Sequence, residues 1–109
     1  MQQNSINEIK ERLAARHCVG LSVYTYHSWV DGFAFREGII SLPIRIKPDG
    51  AHAICLVGYE DRDDTHSDGY FLFKNSWGRA WALRGHAGYG MLPYRYVLTE
   101  AIEAWSVEL

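Results

Sequence analysis

Two short apolar stretches, separated by an acidic segment that ends in glycine, constrain this chain more than anything else in it. Residues 52–59 read HAICLVGY, too apolar for a loop and too short for a helix, which predicts a buried strand. Residues 70–75, YFLFKN, are aromatic-rich and predict a second one. Between them run Glu60, Asp61, Arg62, Asp63, Asp64, Thr65, His66, Ser67, Asp68 and Gly69, a polar connection suited to joining antiparallel partners. Such a hairpin brings His52, opening the first strand, beside Asn75, closing the second. An amide oxygen next to an imidazole accepts from one ring N–H and fixes the tautomer. The other ring nitrogen is then left to handle a proton.

The remaining segments predict a scaffold around that hairpin. Residues 5–16 carry Ile6, Ile9, Leu13 and Ala14 on one helical face, and Ser5-x-x-Glu8 has the pattern of a capping box. Residues 18–26 (CVGLSVYTY) alternate with period two and predict a strand. His27-Ser28-Trp29 and the stretch to Phe35 are read as irregular, punctuated by Gly32 and Gly38. Residues 39–48 predict a short extended segment that Pro43 and Pro48 confine to an edge or to loops. Asp49-Gly50 is a turn signal immediately before Ala51-His52. Residues 79–96 are expected to finish the sheet, with Trp81, Tyr89, Tyr94 and Tyr96 in the core. A helical turn over 98–104 and an edge strand over 105–107 are expected to follow.

Bulk properties narrow the function. The chain has 109 residues, the size of one domain, and 11 basic against 13 acidic side chains, a net charge of −2. That balance argues against nucleic acid or an anionic membrane as partner. No apolar run approaches the ~20 residues of a membrane span, and the N-terminal residues show no apolar signal region. The only cysteines, Cys18 and Cys55, have no zinc spacing, and a reducing cytoplasm is the expected compartment. Asp61, Asp63, Asp64 and Asp68 offer hard oxygen ligands, but without EF-hand spacing a solvated loop is expected. His17, His27, His66 and His86 form no ligand pattern and read as surface residues. Neither a metal nor a cofactor is expected.

The residues carry a resemblance. His52-Ala53 followed by apolar residues to Val57-Gly58-Tyr59, then Lys74-Asn75-Ser76-Trp77-Gly78, Trp81, Gly88-Tyr89-Gly90 and Leu92-Pro93-Tyr94, resembles the papain-like cysteine peptidases, particularly bacterial ones. Val19 to Tyr24 and Gly38 to Pro43 extend the likeness, which runs from about Ile6 to Val107. It implies an α+β fold: the C-terminal lobe of such a peptidase, a twisted antiparallel β half-barrel with one N-terminal helix. It further implies that His52 is the catalytic base and acid, that Asn75 orients it, and that Trp77 shields the pair from water. Leu21, Val23, Ala51 and Ala53 are implied liners of the substrate side-chain pocket, although an alternating apolar face such as that of Leu21 and Val23 is more often plain core. Two departures stand out. Ala82 occupies a place where bacterial relatives usually have Gly, and residues 83–87 look like an insertion.

A third departure matters most, because the family's nucleophilic Cys and the Gln of its oxyanion hole belong to an N-terminal lobe that this sequence does not contain. Cys55 is an odd three residues from His52, hence on the opposite strand face, and is expected to be inert in apolar packing. Cys18 follows the C-terminal end of the first helix, where the dipole opposes a thiolate. Two readings follow. In one, the chain supplies the His/Asn part of a Cys-His-Asn triad acting on peptides, with Cys and Gln brought by another lobe or subunit. In the other, it is an inactive module that binds peptide or protein or associates with itself as a homo-oligomer.

Overall fold

The computed structural model describes residues 1–29, 32–43, 47–62, 69–75, 81–82 and 87–107. Five strands form one sheet in the order β4-β3-β2-β1-β5: β1 Cys18–Thr25, β2 Gly50–Asp61, β3 Gly69–Lys74, β4 Tyr89–Pro93 and β5 Ala101–Val107. All four neighbouring pairs are antiparallel. Three helices accompany them: α1 Gln3–Ala14, α2 Gly32–Glu37 and α3 Tyr94–Glu100. The chain is therefore α+β, as expected, but with two helices beyond the N-terminal one.

One face of the sheet is buried. Val19, Leu21 and Val23 of β1, Ile54 and Leu56 of β2, Phe71 and Phe73 of β3 and Leu92 of β4 all point into it. Ile6, Ile9 and Leu13 of α1 cover this face, as their 3.6-residue spacing requires, while Ala14 is exposed. The helix starts earlier than the capping-box pattern suggests: Gln2 is the N-cap, no side chain caps it, and Ser5 lies inside the first turn. Packing of the apolar face outweighs a local capping preference worth about 1 kcal/mol.

Two further readings are corrected. The stretch after β1 is regular: a 3₁₀ turn, His27–Trp29, precedes α2. The last helix begins at Tyr94 rather than near Leu98, because Pro93, at φ −57°, sits at its N-cap, where a fixed φ and a missing N–H cost nothing. The two edges of the sheet differ. Beside β4, Ile39 forms an isolated parallel bridge with Met91, and the Met91 amide donates to the Gly38 carbonyl at 2.7 Å. Of residues 39–48, the part 44–46 lies outside the described residues.

At the far end of the β2–β3 pair, one acidic residue ties three elements together. Asp61 Oδ1 lies 2.7 Å from Lys10 Nζ of α1 and accepts from the Tyr94 hydroxyl of α3 at 2.8 Å. The lysine and the tyrosine hydroxyl together hold the Asp61 carboxyl below its usual pKa. The rest of the acidic loop, including Asp63, Asp64, His66 and Asp68, lies outside the described residues. Across the pair Gly69 sits at φ +142°, and a Cβ there would lie 2.3 Å from the Glu60 carbonyl oxygen.

Two outcomes are expected in denaturant titrations. Gly69→Ala destabilises by at least about 1–3 kcal/mol, since both its φ and its surroundings exclude a side chain. Asp61→Asn costs less than about 1 kcal/mol at neutral pH, because the pair is solvent-screened. A depressed carboxyl stabilises the fold above its unfolded-state pKa, so this small cost disappears as pH falls through the carboxylate range.

Candidate active site

β2 and β3 pair with Cys55 opposite Lys74 and Leu56 opposite Phe73. Continuing that register, the first residue after β3, Asn75, faces Ile54, one same-face position from His52. Side chains on this face point toward the core, and both are partly or fully withdrawn from solvent, with Asn75 only 4% exposed. His52 Nε2 and Asn75 Oδ1 are 3.0 Å apart. An amide oxygen only accepts, so in the neutral ring Nε2 carries the proton and Nδ1 does not. The backbone of Asn75 is fixed by its N–H donating to the Gly88 carbonyl at 2.8 Å. Its Nδ2 is buried, with no acceptor among the described residues.

The wall behind the imidazole comes from residues that the sequence reading did not single out for the site. The Trp29 indole, 1% exposed, meets the His52 ring edge-on with centroids 6.3 Å apart. A relay of hydrogen bonds holds it. Trp81 Nε1–H donates to the Trp29 carbonyl at 2.7 Å, Trp29 Nε1–H donates to the Tyr96 hydroxyl at 3.0 Å, and that hydroxyl donates to the Tyr24 carbonyl at 2.6 Å. Burial pushes the Tyr96 pKa up, so the hydroxyl stays protonated as this relay requires. Trp29 also stacks at a tilt on Phe73, 5.6 Å away. The signal for Trp29 was one aromatic in an irregular, aromatic stretch, which sequence alone cannot assign to a particular wall. Trp77, expected to shield the pair, lies outside the described residues. Ala82, the departure from Gly, takes φ +61° and is fully buried.

The four expected pocket residues divide. Leu21 and Val23 have no accessible surface and belong to the core, which corrects their assignment. Ala51 and Ala53 are exposed on the opposite, outward face, where Ala51 pairs with Tyr24. That face also carries Tyr24, Val57 and Trp105, each more than 40% exposed. Beside Asn75 it forms a groove of about 330 Å³ lined by Gly20, Ala53, Cys55, Lys74 and Trp105. A larger groove of about 370 Å³ runs between α1 and β5, away from His52.

Neither cysteine reaches the imidazole. Cys55 is on the outward face, half-buried rather than enclosed as expected, and its pKa is raised chiefly by burial. Cys18 begins β1, five residues from Val23, the partner of His52, or about 17 Å along the strand. Among the described residues, no three His, Cys, Asp or Glu side chains gather as a metal site.

The chain belongs to a known family: residues 1–96 match the model of the papain family cysteine proteases. It is 31% identical over 106 residues to an uncharacterised peptidase C1-like protein of Acanthamoeba polyphaga mimivirus, covering 94% of this chain and 32% of that protein. It is 35% identical over 82 residues to procathepsin L of Felis catus, covering 73% of this chain and 24% of that one. Its fold is similar to the crystal structure of xylellain, a cysteine protease from Xylella fastidiosa, with a TM-score of 0.73 and 31% identity over 94% of this chain and 36% of xylellain. The chain thus spans about a third or less of the relatives it matches.

Removing the Tyr96 hydroxyl tests the wall. Tyr96→Phe withdraws the acceptor of Trp29 and the donor of Tyr24, and is expected to cost about 1–3 kcal/mol in chemical unfolding, whereas Tyr89→Phe on the surface leaves stability within about 0.5 kcal/mol.

Proposed function

We propose that this chain is the His/Asn-bearing lobe of a papain-family cysteine peptidase, whose Cys and Gln are brought by another lobe or subunit. The observation that carries the reading is the 3.0 Å bond between His52 Nε2 and the buried Asn75 Oδ1. It fixes the imidazole in the tautomer a thiol base needs.

In this mechanism Nδ1 of His52 accepts the proton of the partner's thiol. The thiolate attacks the peptide carbonyl, and the imidazolium returns the proton to the leaving amine. Water, deprotonated by the same imidazole, then cleaves the thioester. Asn75 keeps the ring in plane throughout, Trp29 forms its back wall, and Trp77 would exclude water. The partner brings its thiol to the margin of the inner face where His52 lies, while on the outward face Tyr24, Val57 and Trp105 leave apolar surface exposed beside a groove that reaches Asn75. The substrate is a peptide, with Ala51 and Ala53 rather than Leu21 and Val23 lining its side-chain pocket.

The same exposed face supports a second reading, a module that binds peptide or a second copy of itself without turnover. A papain-family N-terminal lobe carrying Cys and Gln, added in trans, separates the two. On the first reading it docks, hydrolysis of a fluorogenic peptide appears, and His52→Ala lowers the rate by about 10²–10⁴-fold without loss of docking. Docking without turnover, or turnover indifferent to His52→Ala, contradicts it. Light scattering on the chain alone reports self-association.

A further inference from the structure

The outward face holds a feature that the peptidase reading does not use. Cys18 opens β1 and Cys55 lies in the middle of β2, both half-buried and both free thiols. The register sets Gly20 opposite Cys55 and Val19 opposite Leu56. Cys18 is therefore the next residue along β1, on the same face, from the one that faces Cys55. That intervening residue is a glycine, so β1 itself places no side chain there, and the Trp105 ring of β5 lies across it. Diagonal neighbours of this kind have Cα atoms about 7–8 Å apart and side chains closer, just beyond the usual span of a disulfide. Cys18 follows the turn at Ala15 and Arg16 and is held by β5 through Val107 but not by β2, whose pairing with β1 begins at Val19, so closure draws this first residue of β1 toward β2.

We propose that Cys18 and Cys55 form a reversible redox pair that closes into a cross-strand disulfide when a low-molecular-weight disulfide such as oxidised glutathione is present. The inference rests on the register and holds whether or not a second lobe completes a peptidase. The neighbouring Cys18 thiol, after burial, helps to raise the Cys55 pKa, and Lys74 opposes it. Cys55 is thus the slower nucleophile, suited to the resolving step. The Cys18 thiolate attacks one sulfur of the small disulfide and expels one thiolate, leaving a mixed disulfide. The Cys55 thiolate then attacks Cys18 Sγ and expels the second. The two protein thiols are oxidised, the small disulfide is reduced to two thiols, and the protons released by the cysteines pass to them. The bridge pins β1 to β2 beside the groove that Cys55 and Trp105 line, so it changes the outward face while leaving His52 and Asn75 on the other side of the sheet.

The test is to equilibrate the dilute full chain in glutathione redox buffers and read it by intact mass, thiol alkylation and peptide mapping. The expected result is loss of both thiols in the monomer, a mapped Cys18–Cys55 cross-link, and full reversal by dithiothreitol. The equilibrium constant for closure should exceed that in about 6 M guanidinium by at least about tenfold, because the fold holds the thiols together. A stable glutathione adduct on the native chain, bridges only between molecules, or equal constants in native and denaturing buffer would overturn the proposal.

Discussion

The pairing of β2 with β3 is the constraint on which the rest of the structure depends. With Leu56 opposite Phe73, both side chains enter the core and the first residue beyond β3 is aimed at His52. A slip of one residue would turn Phe71 and Phe73 outward and carry Asn75 to the other face with them. The same hydrophobic burial that fixes the fold therefore fixes the distance between imidazole and amide. The register shift between Leu56 and Gly58 lies beyond this point and leaves the site end of the ladder undisturbed.

The sheet has two faces with different duties. The inner one is filled by aliphatic and aromatic side chains under α1 and α3, and at its margin Trp29 and Asn75 hold His52. The outer one is small-residue and half-apolar: Gly20, Ala51 and Ala53 lie low, while Tyr24, Val57 and Trp105 stand exposed. The Trp105 ring lies across Gly20 so closely that a Cβ there would come within 2.1 Å of it.

Much of this was legible in the sequence, and for identifiable reasons. The hairpin, the His52–Asn75 meeting and the inward spacing of Ile6, Ile9 and Leu13 all follow from periods of 2 and 3.6 residues. The family was legible from His52-Ala53 and Lys74-Asn75-Ser76-Trp77-Gly78. What failed was local. The resemblance implied Leu21 and Val23 as pocket liners while their alternation favoured core, and core is what they are; the outward residues of β1 are the small or aromatic ones between them. The helix at Tyr94 was missed because residues 79–96 were read together as the end of the sheet, whereas Pro93 is the N-cap of a helix. Trp29 escaped because its role depends on Trp81 and Tyr96, partners 52 and 67 residues away.

The central claim is that Asn75 holds the His52 imidazole in the Nε2–H tautomer within this chain alone. Nitrogen-15 NMR of the histidine rings in the isolated chain tests it most directly. The account predicts that neutral His52 carries its proton on Nε2, and that Asn75→Ala turns it into a mixture of tautomers. A wild-type His52 that is already mixed, or that carries its proton on Nδ1, would contradict it.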